Sequence, residues 1–397
     1  MLLNKERAYR IMEKYEVEAI IAAMPENVTY LTDFWSLSHW ILKGTPTFAV
    51  LPRDRKIEPF IATPISELDQ AAMGEGTGVK NFSTFGTFYV EVPEEAILAE
   101  EERKLKNLLN RSRPRVDAVA ALIESLKERG LVKGKMALDQ MNLTANLHAA
   151  ILKNLPGVEV IDGYPLLREI RAVKTAEEIG RLEKSASKTE KAFLKAVEVI
   201  REGVTELEIA RAFHDTLAAE GAIPVIACVG AGYRSAFPNV IPSTYRVKKG
   251  DLIRFDIGCL YKYYYSDTAR IAILGKPTPK QRIYYEAILF GEDRAFSLIR
   301  PGARASDIFH EAVKAVREKG IPHYKRGHVG HGIGIECYDI PVLNPASDHI
   351  LEEGMVLNVE TPYYELGFGG LQVEDTLAVT RDGYRLLTQC QRGLFVL

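Results

Sequence analysis

Cysteine is scarce in this chain of 397 residues: there are four, Cys228, Cys259, Cys337 and Cys390, and none forms a Cys-x-x-Cys pair. That spacing offers no zinc knuckle or redox pair and reads as buried free thiols in a reducing cytoplasm. Long apolar runs are missing too. Nothing approaches the roughly 18 uncharged residues of a membrane span, and the opening MLLNKERAYR lacks the apolar core of a signal peptide. Charge of one sign is also lacking, since 51 basic residues stand against 53 acidic ones for a net charge of −2. No basic patch points to nucleic acid. What remains is 47% hydrophobic and 26% charged, the balance of a soluble globular protein long enough for two domains.

The stretch that organises the rest is Asp251–Leu274. Two apolar, β-rich runs, Leu252–Leu260 and Tyr263–Leu274, flank a short Tyr/Lys connection and predict an antiparallel hairpin. Each run carries one aspartate among residues that favour burial, Asp256 in FDIG and Asp267 in SDTAR. A carboxylate in an apolar strand is costly unless paired, hydrogen-bonded or bound to metal. With no obvious cationic partner for both, the two point to ligation of a cation.

The device recurs. Met355–Tyr364 and Leu371–Thr380 are again apolar runs joined by a Gly-rich turn, and they carry Glu360 and Glu374. Four inward carboxylates on two hairpins related by a rough two-fold can hold two divalent ions. Between the hairpins, GHVGHGIGIE supplies His328 and His331. One imidazole with four carboxylates is an oxygen-dominated set that favours manganese, cobalt or iron over structural zinc.

Taken in order, residues 4–16 predict an amphipathic helix and Val17–Ala23 a buried strand. Asn27–Phe34 and Phe48–Pro52 read as further β-like runs, and Pro64–Ala72 as a helix. Alternation continues through helix Val116–Arg129, strand Met136–Asp139, helix Asn142–Leu155 and strand Val158–Ile161, an α/β domain with a mixed sheet. Phe82–Lys106 interrupts the rhythm and reads as an elaboration with a solvated helix face. The boundary lies within Asp162–Lys174, giving domains 1–165 and 166–397. Beyond it, Thr175-x-x-Glu178, Thr205-x-x-Glu208 and Thr278-x-x-Gln281 predict capping boxes, and Ser306 a fourth helix start. Helix, helix, hairpin is followed by helix, helix, hairpin, a duplicated unit.

The motifs FDIG, SDTAR, GHGIG and VED, with the series Asp256, Asp267, His331, Glu360 and Glu374, resemble the creatinase/aminopeptidase P/prolidase group. RAVKTAEEIGRLEKSA and NVTYLTDF extend the resemblance over nearly the whole chain. It implies an α+β fold: a pita-bread catalytic domain behind a smaller creatinase-like α/β domain. It also implies two divalent metal ions (Mn, Co, Zn or Fe) and a bridging hydroxide that attacks the scissile carbonyl of an Xaa-Pro dipeptide or peptide. By the resemblance Asp267 and Glu374 bridge the ions, Asp256 completes one, and His331 with Glu360 completes the other. Glu360 is then the general base. His328, three residues before His331, is expected on the substrate side, and His148, His214, His310, His323 and His349 as solvated or structural. Arg270 could pin a carboxylate or cap the hairpin.

Three positions depart from the peptidases of that group. Asn239 and Tyr338 stand where histidines are usual, and Gln372 where arginine is frequent. The ligand series is intact while the substrate-facing set is altered. Creatinase-like C–N hydrolysis, lyase chemistry on a small non-peptide molecule, or partner binding without catalysis therefore stay open beside peptide hydrolysis. The resemblance also implies a homodimer, with Trp35 or His39 reaching the partner's site.

Overall fold

The structure, a computed structural model, describes residues 2–42, 46–73 and 78–397. The chain divides into two compact units, Met1–Arg171 and Ala172–Leu397. The sequence-based break at 165/166 falls inside helix Tyr164–Arg171, and the division comes where that helix ends.

The first unit holds a six-stranded mixed sheet. Its strands are β1 (Val17–Ala22), β2 (Phe48–Pro52), β3 (Phe60–Pro64), β4 (Asn81–Phe85), β5 (Gly134–Leu138) and β6 (Val158–Asp162). Their spatial order is β4-β3-β2-β1-β5-β6. β1 to β3 are buried almost throughout, so they read as continuous apolar runs. Helix Ala118–Glu128 packs on them through Ala121, Leu122 and Leu126.

Two expectations fail in this unit. Asn27–Phe34 is not a strand, because Pro25–Thr32 is helical. Pro25 occupies the first turn, where its missing N–H costs nothing, and Asn27 is committed to a buried cluster. Its Nδ2 donates to Asp139 Oδ2 at 2.7 Å and its Oδ1 accepts from Arg171. That tertiary cluster outweighs the β propensity of the Val-Thr-Tyr run. Phe82–Phe85, expected as the start of an elaboration, belongs to edge strand β4. The helix that follows, Glu100–Arg111, buries no residue, as a solvated face requires.

The second unit carries the duplication. Helices Ala176–Glu198 and Glu206–Ala219 precede β7 (Ile223–Ala231), β8 (Leu252–Tyr261) and β9 (Thr268–Ile273). Helices Pro279–Leu298 and Ala305–Lys319 precede β10 (Gly330–Gly332), β11 (Asp339–Val342), β12 (Val356–Glu360) and β13 (Glu374–Thr380). These seven strands run in the order β11-β10-β12-β13-β9-β8-β7. Tyr264–Tyr265, Gly383–Leu386 and Phe395–Val396 complete a ten-stranded sheet.

The three capping boxes form as read, at Thr175/Glu178, Thr205/Glu208 and Thr278/Gln281. Ser306 does not cap. The fourth helix starts after Arg304, and backbone replaces a side-chain cap: Ala305 N donates to His349 O at 2.9 Å and Ser306 N to Ser347 O at 3.2 Å. The second strand of each hairpin is also interrupted. Residues 264–265 separate from β9 before Asp267, and 369–371 from β13 at Gln372.

Alternation sorts the sheet into two faces. Ile253, Phe255, Ile257 and Cys259 of β8 join the core under the first helix pair with Phe193 and Phe213. Leu357, Val359, Leu377 and Val379 join the core under the second pair with Ile288 and Ala312. The intervening residues Arg254, Asp256, Asn358, Glu360, Glu374 and Thr376 take the other face. The chain is thus an α+β pita-bread unit preceded by a smaller α/β unit.

Candidate metal centre

Strand register assembles the polar face. Asp256 pairs with Ala269, Ala269 with Glu374, and Glu374 with Glu360, one row across four strands. Asp267 immediately precedes β9, and His331 of β10 pairs with Asn358 of β12. Ligand atoms of Asp267, His331 and Glu374 all lie within 4.8 Å of one another. His331 Nε2 is 4.0 Å from Asp267 Oδ2.

The donor set fits a divalent cation. His331 Nδ1 is 3.0 Å from the carbonyl oxygen of Gly332, which can only accept, so Nδ1 carries the proton. Nε2 then presents its lone pair, and it is buried without a hydrogen-bond partner. Asp267 Oδ1 is buried and unpartnered in the same way. Burial lowers His331 to about 4, keeping it neutral. Burial also pushes Asp267 and Glu374 well above the usual carboxylate range, and the neighbouring carboxylates add to the rise. Glu360 is pushed up to about 7 by burial, against the pull of Arg326. Asp256 is raised by burial and pulled back by Arg254. Packed acids that resist ionisation in the protein alone are what a bound cation relieves.

Around these candidates stand Asn358 and Thr376, which the sequence patterns do not single out. Asn358 Nδ2 donates to Glu374 Oε1 at 2.9 Å, and Thr376 Oγ1 holds Asn358 Oδ1 at 2.8 Å. The Cys337 thiol is 3.7 Å from Asp267 Oδ2, and burial with that carboxylate pushes its pKa up. Of the four cysteines only Cys259 is fully buried, which corrects the expectation for the other three. Asp256, read as lacking a cation, has Arg254 Nη1 at 3.0 Å from Oδ2. Arg254 and Asp256 lie two apart on one strand, so strand periodicity was the available signal. Arg270 is buried on the opposite face. It pins Asp375 at 2.5 Å and donates to the backbone oxygen of Glu374 at 2.7 Å.

His328 Nδ1 is 3.4 Å from Glu360 Oε1, and Arg326 Nη2 is at the same distance from that oxygen. Burial, with Arg326 beside it, lowers the His328 pKa. Tyr338 lies flat on His331, with centroids 3.7 Å apart and planes at 17°, and the residue as a whole is half exposed. Asn239 is exposed, and no hydrogen bond among the described residues joins it to the carboxylates. Gln372 touches Glu360 and Glu374. His39 is buried, 5% exposed, and Trp35 is half-buried.

Similarity to known proteins covers nearly the whole chain. An Xaa-Pro dipeptidase of Pyrococcus furiosus is 27% identical over 98% of both chains. One from Lactobacillus delbrueckii subsp. lactis is 30% identical over 71% of this chain and 77% of its own. The solved Xaa-Pro dipeptidase of Bacillus anthracis shares the fold with a TM-score of 0.81, at 24% identity over 99% of this chain and 98% of its own. Residues 5–173 match the creatinase/prolidase N-terminal domain. Residues 180–381, which contain every carboxylate and imidazole of the polar face, match metallopeptidase family M24, and the chain belongs to that family.

Proposed function

We propose that this metallopeptidase is a hydrolase of the Xaa-Pro dipeptidase type, holding two divalent cations and cleaving a small peptide as a cytoplasmic homodimer. The observation that carries the reading is the convergence of Asp267, Glu374 and a neutral His331, its Nε2 unpartnered, within 4.8 Å, with Asp256 and Glu360 in the same row across the sheet. A relative along nearly the full length is an Xaa-Pro dipeptidase, and the four cysteines are free, in keeping with a reducing compartment. No helix among the described residues is long and apolar enough to cross a membrane.

Asp256, Asp267, His331, Glu360 and Glu374 would hold the cations, manganese, cobalt, zinc or iron. When bound, such a pair supplies Lewis acidity and acidifies water near neutral pH. Glu360 is the group that takes a proton, because one of its oxygens faces both a guanidinium and an imidazole at 3.4 Å. Arg326 favours the charged carboxylate, and neutral His328 can pass the proton onward. Tyr338 holds the His331 ring by stacking and offers a phenol to the substrate. A second reading, C–N hydrolysis or lyase chemistry on a small non-peptide molecule, is favoured by that phenol, which cannot exchange protons readily at pH 7.

The test is a substrate screen after reconstitution with manganese or cobalt. It sets Xaa-Pro dipeptides, longer Xaa-Pro peptides and small amidines side by side. Metal-dependent turnover of the dipeptides is expected. Turnover confined to amidines moves the assignment to the second reading, and no metal uptake with no turnover abandons both.

A further inference from the structure

Arg254, the third residue of β8, is fully buried. A guanidinium has five N–H donors and no acceptor, and here every edge of the group is engaged. Nε donates to Ser235 O at 3.0 Å, and Nη2 to Phe237 O at 2.7 Å and Pro238 O at 2.6 Å. Nη1 donates to Asp256 Oδ2 at 3.0 Å and to Gln372 Oε1 at 2.8 Å. One edge thus grips the loop that leads to Asn239, and the other grips the polar face.

The bond to Gln372 fixes more than one atom. Gln372 Oε1 accepts from Arg254 and also from Tyr364 OH at 3.2 Å. Its NH2 group must therefore turn the other way, where it donates to Glu360 Oε2 at 3.2 Å and Glu374 Oε2 at 3.4 Å. The amide turns the position of one cation into the orientation of two carboxylates. A buried ion pair is weak evidence for stability, since an apolar residue in its place is often as stable. The reach of this guanidinium, one loop and three acids, suits a role in geometry.

Resting on the hydrolase reading above, we propose that Arg254 is a positioning residue of the reaction. Through Asp256 and Gln372 it orients Asp256, Glu360 and Glu374, and it locks the Ser235–Pro238 backbone to the same frame. Lysine would keep a charge beside Asp256 but cannot span Gln372 and three carbonyls at once. The role therefore needs the fork, not the charge alone.

The test uses the full chain and two readouts, cobalt(II) binding followed by calorimetry and visible absorption, and steady-state kinetics on the best dipeptide of the screen. Arg254→Lys, Gln372→Ala and the double variant are compared, with circular dichroism as the check on folding. Each single variant is expected to weaken cobalt binding or kcat/KM roughly 10–100-fold, with an altered cobalt spectrum. The loss should fall mainly on kcat, and the double variant should lose little more than either single one, because both break the same relay. Fully additive losses, or an unchanged cobalt spectrum and kcat in Arg254→Lys, overturn the positioning role while leaving the hydrolase reading intact. Wild-type protein that neither binds cobalt nor cleaves any dipeptide overturns the hydrolase reading and this role with it.

Discussion

At the residue scale, charge and lone pairs decide what the polar face can do. Asp267 and Glu374 lie within 4.8 Å of His331 and are held above their usual pKa by burial and by each other's neighbourhood. Asp267→Asn or Glu374→Gln should remove at least one cation, with a loss of affinity beyond the ~10–100-fold typical of an outer hydrogen-bond partner. Elemental analysis after reconstitution checks this, and full occupancy with full activity in both variants would sink the ligand assignment. Tyr338 makes a separate case. Tyr338→Phe keeps the ring on His331, so metal content should hold, while loss of a positioned donor should lower kcat by ~10²–10³. Equal kcat in the two proteins would make the phenol a mere stacking surface. Asp256, Asp267, Glu360 and Glu374 stand out in the sequence as acids inside apolar runs, and of the five candidates Asp267, His331 and Glu374 come within 4.8 Å of one another. Strand periodicity puts Arg254 on the face of Asp256, but its bond to Gln372 at 2.8 Å, far away in the chain, appears only in the fold. Gln372 read as the absence of a cation, yet the cation stands on the neighbouring part of the face.

At the element scale, the hairpins were legible from their apolar runs and the long helices from their capping boxes. Their interruptions were not. The break before Asp267 depends on close backbone approach, which only the fold reveals. Gly258 of β8 lies so near Ser266 that a Cβ at that position would meet the Ser266 carbonyl oxygen at 2.0 Å. That carbonyl is backbone and cannot swing aside as a side chain would, so relief requires the strands to part next to Asp267. Gly258→Ala should destabilise the second unit by ~1–3 kcal/mol, as overpacking does, and should weaken metal binding at the same time. Urea midpoints with and without cobalt measure both. An unchanged midpoint with normal cobalt uptake would show that the approach is not needed. The misread helix at Pro25–Thr32 teaches the same lesson, for Asn27 takes its conformation from Asp139 and Arg171 rather than from its neighbours in sequence.

For the whole molecule, two buried groups away from the polar face, His39 in the first unit and Glu292 in the second, respond to acid in opposite ways. In the first unit burial holds His39 at about 4, against an ordinary value of 6.5. Between those values the unfolded chain binds the proton and the folded one does not, so stability is lost as pH falls from 6.5 to 4. The full effect is on the order of 3 kcal/mol. In the second unit burial raises Glu292 to about 8, with Asp375 adding to the rise and Arg392 opposing it, against an ordinary 4.5. There the folded state binds the proton first, so stability is gained as pH falls from 8 to 4.5. Between pH 6.5 and 4.5 the two groups pull in opposite directions. Scanning calorimetry of chelator-treated protein at pH 8, 6.5 and 5 reads both effects when wild type is compared with His39→Gln and Glu292→Gln. His39→Gln should lessen the loss on going from pH 6.5 to 5. Glu292→Gln should flatten the gain between pH 8 and 5. Parallel pH profiles for all three proteins would mean that neither buried group controls the acid response.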